Sequence, residues 1–469
     1  MSVKVNSELA ERIREKTGEN VYLCYQCAKC TSGCPLAEFF DMAPNQVLGA
    51  AQLGLEKELF DAKTPWLCAS CQTCTTRCPQ GVDLARIMDF IVSDAVQRGI
   101  KPKVPEVAVF NKVFLRDVNL IGRSYELGLI AEVDLRNLTL VRDMPLGVAM
   151  IRKGQVAMLP EVVRPRWRPA GSAHAERPKN EVGYYPGCSL HGVGQSYDRS
   201  AQACLKALGM KPVEPEGWVC CGSTPAHRLD ANQATRLPLM NLDLLDQQGF
   251  RDVALPCAAC FNRFQVTLHE LRAEPDRRGQ FETEMGRVYP DRVVVHSLLG
   301  YVVEQLGLEK VRARVKRPLA GLSVACYYGC LLTRPPRITG SGEAEYPRMM
   351  DQAMAAVGAQ PVDWDLKTTC CGASLALTRT DIIVKLCERI LANARARGAE
   401  MIVVACPLCS TNLESRQDQM PRELRTPIVY FTQLMAVAFG LEGEAGLQHN
   451  MVDARPLLRE RVGRGERTA

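Results

Sequence analysis

Eighteen of the 21 cysteines in this chain fall into arrays with the spacing of metal ligands. The segment "CYQCAKCTSGCP" carries Cys24, Cys27, Cys30 and Cys34, and "CASCQTCTTRCP" carries Cys68, Cys71, Cys74 and Cys78. Each run ends in Cys-Pro. Further along, "EGWVCCGSTPAH" sets Cys220 beside Cys221, and "TTCCGAS" sets Cys370 beside Cys371. Neighbouring cysteines do not meet the separation and dihedral of an unstrained disulfide. Coordination is therefore the chemistry to expect of them, not cross-linking.

The two leading runs have the two-cluster ferredoxin spacing, written twice. Two-residue gaps let three thiolates converge on one face of a cubane, and the cysteine before proline crosses to the other cluster. Cys24, Cys27, Cys30 and Cys78 are thereby expected to hold one cubane [4Fe–4S] cluster. Cys68, Cys71, Cys74 and Cys34 hold the second. Structural zinc is the competing reading, but zinc sites pair two short hooks on one ion. Two identical four-cysteine runs fit iron–sulfur better.

From residue 181 the chain repeats itself. Cys188 in "GYYPGCSLHG" is followed after 31 residues by Cys220–Cys221, and after 35 more by Cys257 and Cys260 in "LPCAAC". Cys330 in "CYYGCLLTRP" is followed after 39 residues by Cys370–Cys371, and after 34 more by Cys406 and Cys409 in "VACPLC". Five sulfurs per copy exceed the four that a cubane or a tetrahedral ion takes. A thioredoxin-like dithiol would account for each Cys-x-x-Cys but for none of the other cysteines.

The elements that must position these ligands are legible around them. "APNQVLGAAQLG" puts Pro44 at a helix start, where its missing N–H costs little. "DLARIMDFIVSDAVQRG" lines Leu84, Ile87, Met88, Ile91, Val92 and Ala95 on one stripe, with Asp83 as cap and Gly99 as stop. Near the N-terminus Ser7 and Gly18 are the corresponding signals. Residues 1–100 thus read as an α-helical ferredoxin module. "VFNKVFLRDVNLIGRSYELGLIAEVDL" reads as helix, and "LPEVVRPRWRPAGSAHAERPKN" as extended linker; together they make 101–180 a helical extension and linker. In each later copy a strand, "EVGYYPG" or "LSVACYY", precedes a helix, "SYDRSAQACLKALGM" or "RMMDQAMAAVGAQ". A second strand, "RDVALPC" or "EMIVVACP", feeds into the Cys-x-x-Cys and a following helix. That alternation is α/β. The copies span 181–318 and 319–440. The basic segment 441–469 reads as a disordered or partner-docking tail.

Composition bounds the rest. The 469 residues are 46% hydrophobic and 23% charged, with a net charge of +6. There is no dense basic run with interleaved aromatics, which argues against nucleic acid. No apolar run reaches the ~18–20 residues of a membrane span. The N-terminus lacks the apolar core of a signal peptide. Grouped cysteines in such a chain imply a reducing cytoplasm.

With both quintets, the chain resembles heterodisulfide reductase. Each copy is similar to the CCG domain of that enzyme's B component. The leading part is similar to its C component, and the C-then-B order is similar to the fused D component of the membrane-linked enzymes. The resemblance implies two noncubane [4Fe–4S] clusters, one on Cys188, Cys220, Cys221, Cys257 and Cys260 and the other on Cys330, Cys370, Cys371, Cys406 and Cys409. It further implies a (hetero)disulfide cleaved between them, or the reverse reaction, with electrons relayed by the two cubane clusters. A flavoprotein A-like subunit, or another electron-donating subunit, is the implied partner; no dinucleotide fingerprint is found in the chain itself. Proton donors nearest in sequence are His191 and His227. Arg334 and Arg337 would attract an anionic thiol or mark a surface loop. The alternative is an iron–sulfur electron conduit of a flavoprotein dehydrogenase or quinone-linked complex; a storage scaffold suits four clusters in series less well.

Cys204, Cys326 and Cys387 remain, and all three read as core packing. Cys326 competes with Cys330 for the ligand position, and the "YGC" context favours Cys330. Cys330→Ser is expected to lose iron and Cys326→Ser to retain it, read as iron per chain in anaerobic preparations.

Overall fold

The computed structural model describes residues 7–139, 144–157, 159–167 and 177–465. The leading module is helical. α1 (Glu8–Thr17) stops at Gly18 in the left-handed conformation, as expected, but Ser7 makes no side-chain cap. α2 (Pro44–Leu53) opens on Pro44. α3 (Leu84–Gln97) is capped by the Asp83 carboxylate, which accepts from the Arg86 N–H, and its six expected apolar residues are all buried. α4 (Pro105–Ile121), α5 (Glu126–Asn137) and α6 (Met144–Arg152) form the helical extension. Residues 159–167 have no regular structure, and the rest of the linker up to 176 lies outside the described residues.

Two matching α/β units follow. The first runs β1 (Glu181–Tyr184), α7 (Gln195–Ala207), β2 (Lys211–Val213), α8 (Ala231–Gln247), β3 (Asp252–Leu255), α9 (Ala258–Ala273) and β4 (Val294–Ser297). The second runs β5 (Ser323–Tyr327), α10 (Met349–Ala356), β6 (Gln360–Pro361), α11 (Thr380–Ala396), β7 (Met401–Val404), α12 (Pro407–Ser415) and β8 (Ile428–Tyr430). The sheets have the orders β2-β1-β3-β4 and β6-β5-β7-β8, and all six strand pairings are parallel. In each sheet the chain steps from one side of the central strand to the other between its first and third strands. Parallel α/β sheets place ligands in the crevice beyond the strands' carboxyl ends at that switch. Cys188 and Cys257 follow β1 and β3, and Cys330 and Cys406 follow β5 and β7. The edge strands β2, β4, β6 and β8, two to four residues long, are additional to the expected ones.

The segment after 440 differs from a disordered tail. α13 (Arg455–Gly465) and two short turns before it fold back, with Leu447, Asn450, Ala454 and Leu458 buried. Gln433 donates to the Ala445 carbonyl at 2.8 Å and to Asn450 at 3.0 Å, and Gln155 donates to the His449 carbonyl at 2.7 Å. Widely spaced apolar residues among arginines hide this packing from a compositional reading. Among the described residues no helix is long and apolar enough to cross a membrane.

Two buried arginines join the ferredoxin module to the α/β units. Arg228 donates to the carbonyls of Trp66 (2.8 Å), Pro65 (3.3 Å) and Cys68, and pairs with Asp89. Arg334 donates to Thr73 Oγ1, to the Thr368 carbonyl and Oγ1, and to Glu345, each at 2.8 Å. Arg337 reaches Asp83 at 3.4 Å. Arg334 and Arg337 therefore sit in the joint between modules and do not face a thiol substrate. Arg334→Ala would leave several buried acceptors without a donor. It is expected to cost about 3–5 kcal/mol, read as a lowered midpoint in anaerobic denaturation and faster proteolytic release of the ferredoxin module.

Candidate iron–sulfur active site

The two leading arrays share one backbone shape. Gln26 and Ala28 in the first, and Ser70 and Gln72 in the second, have positive φ at matching positions between the cysteines. Four non-glycine residues in the left-handed region are strained. The same strain at equivalent positions turns successive N–H groups inward, the arrangement that favours an anionic guest. The Ser70 N–H, for example, donates to Cys68 Sγ at 3.4 Å.

In the α/β units the ten quintet cysteines all line a single cavity of about 290 Å³. Its walls come from both units, and its roof comes from the helical extension: Phe110 and Phe114 on α4, Leu129 and Ile130 on α5, Leu146 and Met150 on α6. The sulfurs form a chain of contacts. Cys188 touches Cys220, and Cys221 lies 3.3 Å from Cys260. In the second unit Cys330 touches Cys370, and Cys371 lies 3.7 Å from Cys409. Cys257 meets Cys406 across the unit boundary, and Cys71 of the ferredoxin module meets Cys370. All 21 cysteines are free thiols.

Contacts between thiols split their acidities. Cys221, beside Cys220 and Cys260, and Cys406, beside Cys257 and Cys409, are held well below the ordinary thiol range by those neighbours although buried. Cys71 is lowered first by the Cys370 thiol and further by Thr73 and Arg334. Cys220, Cys260, Cys370 and Cys409 are pushed up by their thiol neighbours and by burial. Thiolates are the ligand form, and the surroundings of Cys221, Cys406 and Cys71 favour it.

Glycines set the closest approaches. Gly222 and Gly372 follow the adjacent cysteines with φ of +82° and +77°, and each N–H donates back to a sulfur, to Cys220 at 3.4 Å and to Cys370 at 3.2 Å. Gly187 and Gly329, also at positive φ, leave no room for a side chain, since a Cβ would stand 2.9 Å from Cys260 Sγ and 2.8 Å from Cys409 Sγ. The Ser124 N–H donates to Cys188 Sγ at 3.3 Å.

Residues 23–83 match the 4Fe-4S dicluster domain, and residues 182–265 and 324–414 match the cysteine-rich CCG domain. The chain belongs to the CCG-domain family of iron–sulfur subunits. It is a heterodisulfide reductase B/C-like protein in which a C-like part precedes a B-like part. It is 30% identical over 285 residues to the 8-methylmenaquinol:fumarate reductase membrane anchor subunit of Wolinella succinogenes, covering 60% of this chain and 99% of that protein. It is 27% identical over 284 residues to the B component of the ferredoxin/F(420)H(2)-dependent CoB-CoM heterodisulfide reductase of Methanosarcina acetivorans, covering 58% of this chain and 94% of that one. A protein of Archaeoglobus profundus that is like the C component of heterodisulfide reductase is 38% identical over 86 residues, 18% of this chain and 46% of that protein.

Against this family pattern the remaining side chains fall into place. Cys326 is buried in β5 and does not line the cavity, whereas Cys330 does. Cys204 donates to the Thr432 carbonyl at 3.3 Å, and Cys387 is buried on α11. His227 lies in a different cleft, its Nδ1 2.8 Å from Asp89, in the joint with α3. His191 stands edge-on to Trp218, with Nδ1 3.1 Å from Glu161 and Nε2 3.3 Å from Glu214. It lines an antechamber beside Cys188 rather than the cysteine cavity. Glu126, by contrast, lines the cavity. Nothing in the sequence around Glu126 signals this, because it comes from the helical extension, far from every cysteine.

The fit of ten converging free thiols to iron–sulfur clusters is testable at one atom. Gly329→Ala is expected to lose the iron of the second CCG unit and retain the rest. Gly398→Ala, also at positive φ but with open space around it, is expected to keep full iron. Iron and acid-labile sulfide per chain decide.

Proposed function

We propose that this chain is the iron–sulfur subunit that cleaves a disulfide, or forms one, in the cavity between its two CCG units. The observation that carries the reading is the shared cavity: ten cysteines from two units face one apolar space. In this reading Cys24, Cys27, Cys30 and Cys78, and Cys68, Cys71, Cys74 and Cys34, hold two cubane [4Fe–4S] clusters. Each CCG quintet holds one noncubane [4Fe–4S] cluster. When bound, the clusters supply electrons singly and offer iron to the substrate sulfurs.

The protein's own groups do the rest. The contact of Cys71 with Cys370 links sulfurs of the ferredoxin module and the second CCG unit, and the contact of Cys257 with Cys406 links the two CCG units. Arg228 and Arg334 hold that path rigid. Phe110, Phe114, Leu129 and Met150 keep bulk water from the cavity and give an apolar thiol a surface to bind. An electron-donating partner, such as a flavoprotein A-like subunit, supplies the ferredoxin module. The cytoplasmic side is the compartment that keeps such thiols reduced.

A second reading is favoured by the likeness to the Wolinella succinogenes protein. There the same cavity would exchange electrons with a quinone, whose ring suits the same apolar walls. The test is anaerobic purification followed by turnover with reduced viologen, offering lipoamide as a disulfide and menadione as a quinone. Iron for four clusters, and reduction of lipoamide well above menadione, is the expected result. Menadione reduction alone would establish the quinone-linked conduit instead.

A further inference from the structure

Cleaving a disulfide takes two protons as well as two electrons, and an apolar cavity has few groups to give them. Apart from the cysteines, the titratable and charged side chains on its wall, among the described residues, are Glu126, Tyr328 and Arg416. The Tyr328 hydroxyl is committed elsewhere, donating to Asp351 at 2.6 Å and accepting from the Met350 N–H at 2.6 Å. Arg416 is a guanidinium and does not release a proton near neutrality. Glu126 is the one carboxyl on the wall among the described residues.

Its seat is built. The Val193 N–H donates to Glu126 Oε2 at 3.0 Å, and the bare Cα of Gly192 makes the room, since a Cβ there would stand 2.1 Å from the same oxygen. Glu126 also lines the antechamber of about 50 Å³ that holds His191 and Glu161. That chamber reaches solvent, for Glu161 is exposed. Glu126 thus borders both spaces, with His191 on the outer side and the cysteines on the inner.

We propose that Glu126 exchanges protons with the substrate in the cysteine cavity and is resupplied from solvent through the His191 antechamber. This rests on the cavity being the reaction site. In the disulfide case R–S–S–R′, two electrons and two protons give RSH and R′SH. The S–S bond breaks, and the electrons come through the ferredoxin module from the external reductant. Glu126 gives one proton to a departing thiolate, regains a proton from the antechamber, and gives the second.

The electrostatics agree with a carboxyl that is protonated at neutral pH. Burial pushes Glu126 up to about 8 against the pull of the Val193 N–H. Burial draws His191 down, but Glu214 and Glu161 outweigh it and leave the imidazole raised. Arg416 and Tyr328 share the cavity wall with Glu126, and Arg123, Tyr125, Glu161 and His191 share the antechamber wall. Because the acid form is the donor, turnover falls as pH rises past about 8.

The experiment uses the anaerobic holoprotein with reduced viologen and lipoamide. Glu126→Gln is expected to lower turnover by roughly 10²-fold or more, with iron content and spin-resonance signals unchanged, and to abolish the alkaline fall in rate. Glu126→Asp should recover part of the rate, and Gly192→Ala, which leaves the carboxyl but fills its seat, should reproduce the loss. Infrared difference spectra between oxidised and reduced holoprotein give a readout without substrate: a protonated-carboxyl band is expected that disappears in Glu126→Gln and persists in Glu414→Gln, Glu414 being another carboxyl that burial pushes up to about 8. A band indifferent to Glu126→Gln, or turnover within about twofold of the parent with its alkaline limb intact, overturns the proposal. A parent that leaves lipoamide untouched yet shows the Glu126 band would remove the disulfide reading and keep this one.

Discussion

The structure depends on bringing ten thiols to one space without letting them pair with one another. Left to themselves, crowded cysteines oxidise, and crowded thiolates repel. Here the backbone bars the pairing of chain neighbours: adjacent residues such as Cys220 and Cys221 cannot close an unstrained bridge. Partner distances of 3.3 Å for Cys221 and Cys260 and 3.7 Å for Cys371 and Cys409 mark thiol contacts rather than bonds. Inward N–H groups from Gly222, Gly372 and Ser124 offset part of the repulsion.

Parallel sheets make that convergence possible twice over. A parallel βα unit delivers residues to the carboxyl end of its strands, and a topological switch opens a crevice there. Two such units set face to face turn two crevices into one cavity. The ferredoxin module is then held by buried arginines whose partners are chiefly main-chain carbonyls, Thr73 and Glu345. Those contacts hold Cys71 against Cys370, so the same joint that gives stability also brings sulfurs of the two modules together.

The helical extension has a larger part than its sequence suggests. It roofs the cavity with aromatic and aliphatic residues and contributes Glu126. An apolar roof raises the strength of every electrostatic contact beneath it. It also makes the position of a single carboxyl consequential, because water is not there to substitute for it.

The sequence by itself determined the fold class and the grouping of the cysteines. Cysteine spacing is local information, so the two leading arrays, the quintets, the strands feeding "LPCAAC" and "VACPLC" and the stripe on α3 were all readable. Competition between Cys326 and Cys330 was narrowed by context alone. What only tertiary structure decided are relations between distant segments. Arg334 and Arg337 read either as attractors of an anionic thiol or as a surface loop, and they pair with Thr73 and Asp83 of the ferredoxin module instead, because an arginine's role depends on which acceptors fold against it. His227 lies beside Asp89, and His191 in an antechamber, since nearness in sequence to a ligand does not fix the direction of a side chain. The basic tail packs because a few scattered apolar residues find a surface prepared elsewhere. Glu126 had no local signal at all: a lone carboxyl at a helix start becomes exceptional only when folding buries it against a sulfur-lined space.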